Sequence, residues 1–100
     1  MNLVNDFMKA DLKDIFPELS EKQMEATLMF SSGMSISEIA LFRNVSETSI
    51  KRVLRAAMTD FSVFSLNSLR AIVQTRISMF LVRKLSVLAT QLQPHTSQHK

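Results

Sequence analysis

Three basic side chains lie close together in the middle of the chain, in the segment SETSIKRVLR that runs from Ser46 to Arg55. Lys51, Arg52 and Arg55 fall at positions i, i+1 and i+4, which on a helix form one outward sector, away from the apolar Ile50. Long cationic donors in this arrangement can reach phosphate oxygens and the acceptor edge of guanine. The spacing therefore predicts a surface for nucleic acid, with a solvated surface helix as the alternative.

Hydroxyl side chains begin the same segment. Ser46 is a good helix N-cap, and the hydroxyls and backbone amides at a helix start can hold a phosphate group. Arg70, on a later helix, is a further base that could contact a phosphate. The residues predicted to contact DNA are Ser46, Thr48, Ser49, Lys51, Arg52, Arg55 and Arg70.

Charge is distributed unevenly along the chain. The formal net charge is +3, but residues 1–42 carry −4 and residues 43–100 carry +7. A basic second half favours a polyanionic partner. The alternative is a chance asymmetry that serves solubility alone.

Composition favours a single all-α domain. The 100 residues are 46% hydrophobic and include one glycine and two prolines, which argues against a turn-rich β fold. Cysteine is absent, so disulfides and thiolate zinc sites are excluded, and a cytoplasmic location is expected. Acidic residues interrupt the N-terminus, so no signal peptide is expected, and no uncharged stretch predicts a membrane span.

Hydrophobic periodicity and capping signals predict five helices in a small bundle. Ser35 and Glu38 form a capping box, and Asn44 is the residue best suited to a left-handed turn. The expected helices are Leu3 to Phe16, Ser20 to Ser32 followed by Gly33, a short one from Ser35, Ser46 to Met58, and Leu66 to Leu92. The expected units are an N-terminal helix packed on the core (1–18), a helix-turn-helix (19–62), a long dimerisation helix (63–92) and a disordered tail (93–100).

The third and fourth helices, joined by about three residues, form a helix-turn-helix pattern. Small and apolar side chains can pack the two helices at a steep angle. The residues expected in this contact are Ile39, Ala40, Val45, Ile50 and Val53.

The stretch LSEKQMEATLMFSSGMSISEIALFRNVSETSIKRVL, residues 19–54, resembles the LuxR-type helix-turn-helix domain. The matching positions are Leu19, Ser20, Lys22, Glu25, Gly33, Ser35, Glu38-Ile39-Ala40, Val45-Ser46 and Ser49-Ile50-Lys51. The resemblance implies four helices, of which the third enters the major groove and the fourth forms a dimer contact. It also implies that Lys51, Arg52 and Arg55 contact the groove and phosphates and that Ser46 caps the recognition helix.

The sequence departs from the family pattern at several positions. Gln23 replaces a glutamate, Thr27 replaces an apolar residue, and Arg43 replaces a leucine that is usually buried. Val53 stands where histidine is frequent, and Asp60 where a base is frequent. Arg43 either covers the core with its stem while its head reaches solvent, or the turn differs.

The last helix carries an apolar stripe longer than a lone domain needs. The surplus predicts a contact with a second copy, and the alternative is that the helix folds back on the first helix. The predicted dimer residues are Val73, Ile77, Phe80, Leu81, Leu85 and Leu88. Four bases on this helix, Arg70, Arg76, Arg83 and Lys84, are interpreted mainly as a solvated face, and phosphate contacts or an anionic membrane surface are the alternatives.

No residue constellation indicates catalysis, and no cofactor is expected. His95 and His99 are spaced i, i+4, but they lack a third ligand, so no metal site is predicted. The sequence predicts a sequence-specific, bacterial-type transcription regulator that binds a near-palindromic DNA site as a homodimer. The alternatives are a protein-interaction co-regulator that binds another regulator or RNA polymerase, and a module like sigma-factor region 4.

Overall fold

The computed structural model describes residues 6–92, with side chains from Lys9 onward. Residues 6–92 form an all-α bundle with a long C-terminal helix, as the sequence predicts. The helices are α1 (Asp6–Ile15), α2 (Glu21–Ser31), α3 (Ile36–Arg43), α4 (Glu47–Asp60) and α5 (Leu66–Leu92). The predicted start at Leu3, the tail 93–100 and His95 and His99 lie outside the described residues.

Serine caps the start of each helix from α2 to α5. Ser20 Oγ accepts a hydrogen bond from the Gln23 amide at 3.2 Å, and Gln23 Oε1 accepts one from the Ser20 amide at 2.8 Å. Ser35 and Glu38 form the predicted capping box with distances of 3.0 and 2.8 Å. The remaining N-caps are Ser46 and Ser65. These caps satisfy amides that have no partner within the helix.

A residue with positive φ ends each of α2, α3 and α4. The φ angles are 111° at Gly33, 57° at Asn44 and 58° at Ser62. Each end has the two hydrogen bonds of a Schellman motif, such as the Met34 amide on the Met29 carbonyl at 3.1 Å and the Gly33 amide on the Phe30 carbonyl at 3.1 Å. Gly33 and Asn44 are the predicted stops, whereas Ser62 carries no sequence signal for one.

The core lies around α2, which packs against α4 and α5 and, less extensively, against α3. Its apolar residues come from all five helices and from the segment between α1 and α2. The most completely buried large side chains are Phe16, Ile39, Leu54, Leu69, Val73 and Thr27. Val73 therefore belongs to the core, so its prediction as part of a dimer surface is wrong. Beyond Ile77, the side chains of α5 contribute little to this core.

Arg76 connects α5 to the end of α1 and does not belong to a solvated face. Its two terminal nitrogens donate to the two carboxylate oxygens of Glu18, both at 2.8 Å, and Nη1 also donates to the Ile15 carbonyl at 3.0 Å. Its guanidinium carbon lies 4.8 Å from the centroid of the Phe61 ring. Hydrogen bonding to Arg76 lowers the pKa of Glu18, and the same bonds raise the pKa of Arg76.

The distal part of α5 leaves the bundle. Side chains from Leu81 to Leu92 are all exposed, although many of them are apolar. α1 packs on α5 beside its proximal part, so the predicted fold-back on the first helix covers α5 only as far as about Phe80 among the described side chains. The largest dimension of the molecule is 61 Å, against 30 and 21 Å for the other two.

Candidate nucleic-acid interface

α3 and α4 form a helix-turn-helix whose turn has three residues, 44–46. Asn44 takes the left-handed conformation, and the Val45 amide donates to the Ala40 carbonyl at 3.0 Å. Ile39, Ala40 and Ile50 are buried between the helices, as predicted. Val45 is 44% exposed and Val53 is half-buried, so these two valines contribute less to the contact than expected. The turn has the predicted length.

α4 presents a polar face to solvent. Thr48, Lys51, Arg52 and Arg55 are exposed there, whereas the other side of the helix is apolar and buried. The helical period explains the division, because positions 48, 51, 52 and 55 fall in one sector. Side chains on this sector can reach a polyanion without any rearrangement of the core.

The three α4 cations have no acidic partner within residues 9–92. Lys51, Arg52 and Arg55 form no ion pair in this part of the chain, although other bases do. Arg43 binds Glu25, and Arg76 binds Glu18. The charge asymmetry of the sequence thus serves partly to join the two halves of the chain. Among the described bases without an acidic partner, Lys51, Arg52 and Arg55 are the three that share one exposed sector of α4.

The start of α4 offers polar hydrogens beside these cations. Ser46 Oγ accepts from the Ser49 amide at 3.1 Å and lies 2.9 Å from Ser49 Oγ. Whichever hydroxyl donates in that contact, the other retains a hydrogen for an outside acceptor. The first-turn amides of Glu47 and Thr48 have no acceptor within the helix. The Glu47 carboxylate accepts from Ser37 Oγ at 2.9 Å, and its charge reduces the positive potential there.

Arg43 is accommodated by an ion pair with Glu25 of α2. Arg43 Nη1 donates to Glu25 Oε1, and both side chains are mostly buried. The turn therefore keeps its geometry, and the guanidinium stays within the protein because an acid is there to receive it.

A side-chain hydrogen bond joins Gln23 and Asp60. Gln23 Nε2 donates to Asp60 Oδ2 at 3.2 Å, which links the first turn of α2 to the end of α4. Thr27 lies in the core, and its Oγ1 has no hydrogen-bond partner among the described residues.

Arg70 makes its contacts within the bundle. Its guanidinium carbon lies 4.2 Å from the centroid of the Phe30 ring of α2, and Nη1 donates to Asn67 Oδ1 at 3.3 Å. The structure thus places Arg70 against α2, in contrast to the six predicted contact residues on α4 or its cap.

Lys22 is a residue that the sequence reasoning missed. It lines a cavity of about 300 Å³ between α2 and α4, together with Arg43, Ser49 and Arg52. Lys22 extends the basic surface of α4 onto α2. Its position as the only base in α2 is the signal that could have identified it.

Residues 6–92 contain no helix long and apolar enough to cross a membrane and no cluster of three or more His, Cys, Asp or Glu residues that could hold a metal ion. No protein-family model, curated protein or solved structure matches the chain.

Proposed function

We propose that this protein is a transcription regulator that binds specific DNA through α4. The observation that carries the proposal is the cluster of Lys51, Arg52 and Arg55 on the exposed face of the second helix of a helix-turn-helix, with no acidic partner among the described residues. Three arginines that contact the bundle each have a partner there: Arg43 pairs with Glu25, Arg76 pairs with Glu18, and Arg70 lies over the Phe30 ring. Three adjacent cations without an acid indicate an external anion, and the groove of DNA fits a helix of this kind.

The contacts divide into two kinds. The first kind would contact phosphates, which fix the position of the helix on DNA. These residues are Ser46 and Ser49 at the start of α4 and Lys22 beside it on α2. Thr48, Lys51, Arg52 and Arg55 lie on the face that would meet base edges. Each good bidentate pair with a base contributes about 1–3 kcal/mol of discrimination. Each phosphate contact makes the affinity fall further with salt, with a slope of about 0.9 in log–log terms.

A second copy would double this interface. Leu81, Leu85 and Leu88 recur at spacings of four and three along α5, and each is at least half exposed. This spacing is typical of a two-helix coiled-coil contact, since a/d positions repeat every 3.5 residues on average. A two-fold dimer of this kind would bind a near-palindromic site.

The test is binding to a fluorescently labelled pool of genomic fragments at about physiological salt. Wild type is compared with Lys51→Ala/Arg55→Ala and with the matched control Arg83→Ala/Lys84→Ala, which removes equal charge from the exposed end of α5. The proposal expects selective binding that the α4 variant loses and the α5 variant keeps. Equal weakening by both variants would mean nonspecific attraction, and no selective binding by wild type would reject the proposal.

The second candidate is a co-regulator that binds another regulator or RNA polymerase through distal α5. The exposed apolar residues between Leu81 and Leu92 favour it, because a surface of this kind needs a partner. Sedimentation equilibrium separates the two candidates. A dimer supports the homodimeric regulator, and a monomer that forms a one-to-one complex with another protein supports the co-regulator.

A further inference from the structure

A second concave surface borders α4 on the side away from Arg52. It is a cavity of about 470 Å³ between the start of α3, the middle of α4 and the connection from α4 to α5. Its lining combines apolar side chains with two cations: Ile36, Leu54, Met58, Phe64, Leu66, Lys51 and Arg55. Its volume lies within the range of pockets that enclose ligands or side chains of a partner.

Phe64 lines this cavity, which is called the groove from here on, and 93% of its surface is exposed. The loop that carries it is fixed at both ends. On one side, Ser62 is left-handed and the Val63 amide donates to the Met58 carbonyl at 2.9 Å. On the other side, Ser65 Oγ accepts from the Ser68 amide at 3.0 Å. The backbone on both sides of Phe64 is thus held by local hydrogen bonds that leave the ring outside the core, and an exposed aromatic on such a backbone is typical of a binding anchor.

The charges on the groove select the kind of occupant. Lys51 and Arg55 have no acidic partner within residues 9–92, so the groove attracts an acidic segment. A second copy of α5 does not fit this requirement. Its exposed end carries Arg83 and Lys84, and residues 61–100 contain no acid, so like charges would meet.

We propose that this groove binds an acidic amphipathic helix of a partner protein. Its apolar side chains pack on Met58 and Phe64, and its carboxylates pair with Lys51 and Arg55. The flexible, polarizable Met58 can adjust to the inserted side chain. The occupied groove thus combines an apolar contact with two ion pairs at its edge, which together fix the orientation of the partner.

Binding of this partner and binding of DNA exclude each other, because both use Lys51 and Arg55. This consequence rests on the proposed function, whereas the groove and its charges do not. The partner helix would act as an inhibitor that removes the regulator from its site.

The probe is a fluorescein-labelled synthetic helix of 14 residues, with Leu or Phe at its positions 3, 6, 7 and 10 and Glu at the flanking positions. A matched peptide has Gln in place of every Glu. Fluorescence anisotropy measures its affinity for the full chain. We expect Phe64→Ala and Lys51→Ala/Arg55→Ala each to weaken binding about tenfold or more, and the Gln peptide to bind correspondingly less. Because Phe64 is exposed, its replacement leaves the core intact.

Arg52→Ala is the control, since Arg52 lies on the DNA-facing sector but does not line this groove. It should weaken DNA binding and leave peptide binding unchanged, while Phe64→Ala should do the reverse. In protein with ¹³C-labelled methionine methyls, the Met58 signal should shift on addition of peptide, and the signal of Met79 on exposed α5 should not.

Absence of peptide binding, or binding that Phe64→Ala leaves intact, overturns the proposal. So does binding that shifts Met79 while Met58 is unaffected. Peptide binding with no DNA binding by wild type would uphold the groove and reject the proposed function, and the converse would reject the groove alone.

Discussion

Arg43 is the last residue of α3, directly before the turn, and its placement there depends on one acid of α2, Glu25. The Arg43 and Glu25 side chains are 23% and 16% exposed, so both are largely withdrawn from water. A mostly buried pair of this kind is stable as a pair, but either member alone is a poorly solvated charge. The residue thus explains both how the turn tolerates an arginine and why the position is sensitive to a change in its partner.

We expect Arg43→Ala and Glu25→Ala each to lower the free energy of unfolding by about 1–3 kcal/mol, because each leaves the other charge unpaired. The double variant should cost less than the two single variants together. A double-mutant cycle by urea unfolding measures the coupling. The Lys9–Glu21 pair, with side chains 44% and 57% exposed, provides a control with a coupling below about 1 kcal/mol. Additive effects at 25 and 43 would contradict this account.

Thr27 presents the opposite situation, a buried polar atom without a partner. Its Oγ1 is completely enclosed and makes no hydrogen bond among the described residues. Thr27→Val keeps the shape and removes the hydroxyl, so we expect it to raise the free energy of unfolding by about 1 kcal/mol. The control is Thr75→Val on the exposed face of α5, which should change stability little. A loss of stability at position 27 would show that the hydroxyl has a partner.

At the scale of elements, helix starts could be predicted more reliably than helix ends. Ser20, Ser35 and Ser46 cap their helices through local hydrogen bonds, so the sequence around each serine contains the information. Gly33 and Asn44 are also chemically suited to positive φ. Ser62 is not, and no residue type at that position signals the left-handed conformation that the structure shows.

Ser62→Gly tests this difference. A serine in the left-handed region is strained by its Cβ, and glycine is not. We expect the variant to raise the free energy of unfolding by about 0.5–1 kcal/mol in thermal or urea unfolding. Ser78→Gly, in the regular exposed part of α5, should lower it by a similar amount. An effect of the same sign at both sites would refute the role assigned to Ser62.

The connection of α1 to α5 through Arg76 makes stability depend on pH. Because the pKa of Glu18 is lowered in the folded state by Arg76, its contribution is present above the carboxyl pKa of the unfolded chain, about 4.3, and is lost as pH falls through the folded value. Glu18→Gln should therefore be less stable than wild type at pH 7, by up to about 1 kcal/mol. The difference should diminish in urea titrations as the pH is lowered below the carboxyl pKa of the unfolded chain. A constant difference would exclude the carboxylate as its source.

Some features of the candidate site follow from the local sequence, and others depend on contacts between residues that are distant in sequence. The α4 cations and the three-residue turn follow from helical spacing and from Asn44, so both could be predicted. The ion pairs of Arg43 and Arg76 and the ring contact of Arg70 could not. Each joins residues that are distant in sequence, such as Arg76 and Glu18, and a charge pattern alone does not distinguish an external from an internal partner.

At the scale of the whole molecule, the distal part of α5, Leu81 to Leu92, lies outside the bundle and is the proposed dimer contact. Leu85→Glu/Leu88→Glu should convert a dimer to a monomer, because charges on a two-helix contact meet their own copies without counter-ions. Ser86→Glu/Thr90→Glu adds the same charge on the opposite side of the helix and should leave the dimer intact. Sedimentation equilibrium measures both variants. A wild-type monomer, or equal dissociation in both variants, would reject α5 as the dimer contact.

The transition of α5 from a packed helix to an exposed one occurs within about one turn near Phe80. Residues before that turn are constrained by the core, and a substitution there alters folding. The side chains from Leu81 to Leu92 are exposed and take no part in the core, so their substitution is expected to leave the fold of α3 and α4 unchanged. In the proposed regulator, substitutions can therefore alter partner association and DNA recognition independently, and the boundary between the two lies inside a single helix.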